Sequence, residues 1–141
     1  MFKRNFMLLL LLAFLTFCAA PAVASELDEM SEEDAMAALA AEPSLTQADI
    51  DAFVKNAPAL QTASEADDEA AYLKVIKEIG WSEIRAAYIP IKIGTAWAIS
   101  QDPESAVIIQ ALFPQEMMPR PEEQTLVDKN IDKIAPLFAE E

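Results

Sequence analysis

The chain has 141 residues, 53% of them hydrophobic, with 24 acidic and 10 basic side chains, a formal net charge of -14, one cysteine and no histidine. That length suits one hydrophobic core, so a multidomain enzyme is excluded. Without histidine, and with Cys18 as the one thiol, disulfides, zinc and iron-sulfur sites, Cys-His nucleophiles and Ser-His-Asp triads are excluded too; the acidic excess repels phosphate backbones, which removes nucleic acid as a partner.

Residues 1–24 read as a signal peptide. Lys3 and Arg4 precede an apolar run from Met7 to Ala20, and Ala22-Val23-Ala24 has the small-x-small form that signal peptidase accepts. The run falls short of the roughly 20 residues a spanning helix needs. Phe17 is too bulky for the position before a lipidated Cys18. The expectation is cleavage after Ala24 and export, to the periplasm in a Gram-negative cell and to the medium otherwise, with no stable membrane insertion afterwards.

Residues 25–44 form an acidic, Ala-rich leader, expected as a weakly docked or partly disordered helix, in which Ser31-Glu32-Glu33-Asp34 resembles a capping box. The helical domain is placed at residues 45–141. Its first helix starts where Thr46 caps, Asp49 answers and Leu45 can staple to Ile50. Ile50, Phe53, Val54 and Ala57 form its stripe and Pro58 is expected to stop it. Ser64 is expected to open the next helix, with Tyr72, Leu73, Ile76 and Ile79 buried and Gly80 as its C-terminal cap.

Ser82 should cap a third helix running to about Ile99, apolar on nearly every side and hence central. Pro90 inside it predicts a kink or a break. Asp102-Pro103 should start a fourth helix with a stripe of Val107, Ile108, Ala111 and Leu112. Pro114 to Pro121 reads as an extended surface connection, and a last helix follows with Val127, Ile131 and Ile134, ended or bent by Pro136. The fold class is therefore all-α: a small irregular bundle of about five helices with a Pro-kinked central helix, preceded by a signal peptide.

Most carboxylates sit at helix starts, where cap and dipole account for them without a substrate. No D-x-D-x-D-G loop is present for calcium, and no metal site or cofactor is expected. Three groups of side chains are candidate ligand or partner contacts. Arg85, Tyr88 and Lys92 share a helical face, where the two cations either hold an anion or a partner's carboxylate, or reach solvent or neutralise nearby acidic helix starts. Trp97, with Phe53, Trp81 and Tyr88, either lines an apolar pocket or belongs to the core. Met117 and Met118, in a proline-rich connection, suit an adaptable protein contact.

The run Leu45-Thr46-x-x-Asp49-Ile50-x-x-Phe53-Val54-x-x-x-Pro58-x-Leu60, then Gly80-Trp81-Ser82 and Tyr88, resembles short exported helical proteins of Gram-negative bacteria of unknown function, over residues 45–100. These are caps and core positions, so the resemblance implies a periplasmic address and no active residue. The function expected is a non-catalytic interaction or accessory protein that contacts another envelope protein. The alternatives are a small carrier of an apolar ligand beside the central helix and, third, a carboxylate-based hydrolase.

Overall fold

A computed structural model describes residues 30–138. The signal peptide expected at 1–24, the first residues of the leader and residues 139–141 lie outside the described residues. Those described form an all-helical bundle without strands: α1 Glu32–Ala41, α2 Gln47–Glu65, α3 Glu69–Ile79, α4 Glu83–Gln101, α5 Ser105–Leu112, a 3-10 turn Gln115–Met117, α6 Pro121–Lys129 and α7 Ile131–Phe138.

The caps follow the chain's own chemistry. Ser31 Oγ accepts from Asp34 N, Ser82 Oγ from Arg85 N, and Thr46 and Asp49 form the expected reciprocal box, Thr46 Oγ1 accepting from Asp49 N at 3.2 Å and Asp49 Oδ2 from Thr46 N at 3.0 Å. Gly80 ends α3 at φ 91°, in the left-handed region that glycine enters without steric cost.

Among the described residues seven α-helices stand where about five were expected, the leader and the division of the last helix adding one each, while Pro58 shifts a boundary. The leader supplies α1. Pro58 does not stop its helix: α2 runs through it to Glu65, because Leu60 and Ala63 beyond it are buried. That burial offsets a mid-helix proline cost of about 3 kcal/mol. Consequently Ser64 lies in the last turn of α2 rather than opening α3; Asp67 at φ 54° turns the chain and Asp68 Oδ1 caps α3 by accepting from Ala71 N. Asn130, finally, divides the last helix into α6 and α7. Its side-chain amide donates to Leu126 O at 2.8 Å and exchanges two hydrogen bonds with the Gln47 amide at the start of α2.

α4 runs unbroken through Pro90 and is buried at every residue from Ala86 to Ala98, packing against every other helical element. Around it the core divides in two. Ile50, Phe53, Tyr88, Ile89, Ile93, Val127 and Ile134 form the main cluster with α1, α5, α6 and α7. Leu60, Ala63, Tyr72, Ile76, Ala86 and Ala87 form a second one between α2, α3 and the start of α4.

α5 differs from expectation in which face it buries. Ser105 and Ile109 point inward, the Ser105 hydroxyl donating to Ala98 O at 3.0 Å and to Asp102 O at 2.5 Å. Val107 and Leu112, expected as a buried stripe, are 71% and 59% exposed, and they are the large hydrophobic side chains left exposed among the described residues. Ala111 is exposed and Ile108 half-buried on the same outward side.

Candidate functional site

The charged side chains of α4 converge on a buried polar network. Arg85 and Lys92 stand two turns apart, with Tyr88 between them, and each cation reaches the third-residue carboxylate of a neighbouring helix. Arg85 Nη2 lies 2.5 Å from Asp49 Oδ2 at the start of α2; Lys92 Nζ lies 3.8 Å from Glu123 Oε1 at the start of α6. Each of those carboxylates also accepts from the backbone N–H of its own cap residue, Asp49 from Thr46 and Glu123 from Arg120 at 2.9 Å. One carboxylate thus closes a helix end and anchors it to the central helix.

Glu123 is fully buried. It accepts from the Tyr88 hydroxyl at 2.6 Å and from Leu45 N at 3.0 Å, besides Arg120 N, so both carboxylate oxygens have hydrogen-bond partners that offset the cost of burial. Burial first, and then this hydrogen bond to a carboxylate, push the Tyr88 phenol well above its ordinary pKa. The Tyr88 ring carries three cations around it: Arg85 Cζ at 4.9 Å, Lys92 Nζ at 5.2 Å and Arg120 Cζ at 5.7 Å from the centroid. Lys92 is almost wholly buried, and desolvation pulls its pKa down; its ammonium donates to Met118 O at 2.5 Å.

The two arginines fasten the segment between α1 and α2. Arg85 donates to Pro43 O and Ser44 O and pairs with Glu42 at 3.4 Å. Arg120 donates to Ala40 O at 3.1 Å, to Glu42 O at 2.8 Å and to Ser44 Oγ at 2.9 Å. Ser44 in turn donates to Glu122, whose pKa is lowered by a bond to its own backbone N–H and by this hydroxyl.

The structure therefore brings Arg85, Tyr88, Lys92 and Met118 together and keeps Trp97 and Met117 apart from them. Both α4 cations are engaged by carboxylates of this chain at helix starts. Trp97 lies in the main core, stacked on Phe138 with centroids 4.8 Å apart, and its Nε1 is buried without an acceptor among the described residues. The expected exposed methionine pair is corrected. The 3-10 turn folds the Pro114–Pro121 connection back onto α4, so that Met118 is buried, with its carbonyl taken by Lys92, and Met117 is half-buried, with its carbonyl 3.3 Å from Thr95 Oγ1.

Sequence reasoning missed Glu123 and Arg120. The signal was there: Glu123 precedes Val127 by one turn on the stripe that continues to Ile134, so a carboxylate occupies a core position of α6, and Arg120-Pro121-x-Glu123 carries a capping spacing. Among the described residues no group of three or more Cys, Asp or Glu is placed to hold a metal ion, and no helix is long and apolar enough to cross a membrane. In chemical terms the network is a closed set of internal pairs. The face left open is the outer side of α5.

No family model matches this chain, and no curated protein and no solved structure shows significant similarity to it.

Proposed function

We propose that this chain is a non-catalytic accessory protein of the cell envelope, exported by its first 24 residues, that acts by holding another protein. One observation carries the reading: the apolar stripe of α5, with Val107 71% and Leu112 59% exposed, is turned away from the core. A stripe of that kind, without a partner among the described residues, supports an interaction surface. The carboxylates gathered at the buried network, Asp49, Glu42 and Glu123, are tied to cations of this chain, which supports a structural role for them over a catalytic one.

The test is a photo-crosslinking amino acid at position 107, with one at exposed position 65 as control, in cells that make the full chain. The expected result is one dominant adduct from position 107, absent from position 65, on a processed form beginning at Ser25. Equal labelling from both positions, or none from 107, overturns the reading.

A second reading, a small carrier, is favoured by the buried and unpartnered Trp97 Nε1. A ligand carbonyl at that donor would survive native mass spectrometry as a constant added mass, lost on Trp97→Phe; a spectrum of bare protein sinks it.

A further inference from the structure

The outer face of α5 is apolar at its centre and carries charge of one sign. Val107, Ile108, Ala111 and Leu112 recur at helical spacing, and exposed Glu104 begins the same stripe one turn earlier. Asp102 lies just before it, its carboxylate accepting from Glu104 N at 3.1 Å. The last turn of α5 holds no basic residue, so its carbonyl end adds partial negative charge. No Lys or Arg occurs between Lys92 and Arg120, and both of those turn inward, Lys92 onto Met118 O and Glu123, Arg120 onto the carbonyls of residues 40 and 42. The two cations that flank this face in the chain are thus engaged elsewhere.

From this charge pattern we infer that the α5 face is a docking surface for a basic amphipathic helix of another protein, whose apolar side covers Val107 and Leu112 and whose Lys or Arg residues meet Glu104 and Asp102. The inference rests on the interaction reading above and names the class of its partner. An anionic lipid surface would be repelled by the same carboxylates, and a second copy would bring like charges together at a net charge of -14 per chain. α5 spans only about 12 Å, so the contact belongs to the small, reversible class of interfaces.

The experiment uses the full-length processed protein and two synthetic helical peptides, one of Leu and Lys in amphipathic register and its Leu and Glu counterpart, with binding read by fluorescence anisotropy. The Leu-Lys peptide is expected to bind and the Leu-Glu peptide not. The double variant Val107→Ser/Leu112→Ser should weaken binding at least tenfold. Glu104→Lys should weaken it several-fold, while Glu65→Lys, which changes the net charge equally at the exposed end of α2, leaves it unchanged. Because all four positions are exposed, circular dichroism and thermal melts of the variants should match the wild type, which keeps a loss of binding interpretable. Equal weakening by Glu104→Lys and Glu65→Lys, or retention by the double variant, means attraction to the whole acidic molecule and overturns the proposal. So does binding of the Leu-Glu peptide, of neither peptide, or instead of phosphatidylglycerol vesicles, and so does concentration-dependent dimerisation abolished by the double variant. A crosslinked partner at position 107 with no Leu-Lys binding leaves the interaction reading standing and removes the basic helix alone.

Discussion

At Glu123 one carboxyl group collects a phenol, two backbone amides and an ammonium, and the unequal contributions of its partners can be separated. Lys92 without Glu123 keeps the Met118 carbonyl and the Tyr88 ring face but no paired carboxylate, whereas Glu123 without Lys92 keeps the Tyr88 hydroxyl and the N–H groups of Leu45 and Arg120. Removing the carboxylate therefore strands a buried cation, at about 3–5 kcal/mol, while removing the cation loses a long ion pair and the bond to Met118 O, at about 2 kcal/mol. Urea denaturation should accordingly rank Glu123→Gln well below Lys92→Met in stability; the reverse order would mean that the 3.8 Å pair dominates. The raised phenol pKa of Tyr88 adds a pH signature. The folded phenol keeps its proton above about pH 10, where the unfolded one loses it, so wild-type stability falls with rising pH there by at most ~1.4 kcal/mol per unit. The depressed Lys92 works in the opposite sense, and Tyr88→Phe retains it. Tyr88→Phe is expected to cost about 1.5–3 kcal/mol at pH 8, and that deficit should shrink as the pH passes 10.

Among the elements, α1 is held by charge more than by grease. Leu39 is its one buried residue, and the arginines at 85 and 120 grip the four carbonyls of residues 40 and 42–44 that follow or end it. A bond from a charged donor contributes about 2 kcal/mol, equivalent to roughly a 30-fold change in an opening equilibrium. Arg120→Ala should then speed hydrogen exchange of the α1 amides by about 30-fold and leave those of α4 unchanged, whereas a uniform increase would show that the arm and the body open together. The same elements show what can be read from a linear chain. Thr46, Ser82 and Gly80 act within four residues of themselves and were legible. The passage of α2 through Pro58 was not, because the compensating burial of Leu60 and Ala63 comes from α3 and α4. Nor was the outward turn of α5, since an eight-residue helix apolar on two sides has no periodicity to choose between them; the Ser105 hydroxyl on Ala98 O decides it.

For the molecule as a whole, α4 belongs to both hydrophobic clusters, with Ala86 and Ala87 in one and Ile89 and Ile93 in the other. No boundary lets one cluster melt while the other stays intact. Ile76→Ala, made in the smaller cluster, should cost about 2–4 kcal/mol and shift the far-ultraviolet transition and the Trp97 fluorescence transition by the same amount, in a Trp81→Phe background. Separated midpoints would divide the bundle into two units. The candidate site was legible at this scale only on α4, where Arg85, Tyr88 and Lys92 share a face; Arg120 and the acids that answer the α4 cations come from helix starts far away in sequence.

Leu45 and Glu123 are 78 residues apart in the chain. A ribosome adding roughly 5–20 residues per second delivers the carboxylate about 4–16 s after the amide it must meet. Throughout that interval the growing polypeptide can fasten its front portion through Arg85 alone, and the grip of Arg120 and Glu123 waits for the last quarter of the chain. A version ending before residue 120 should leave the front helix held by Arg85 alone.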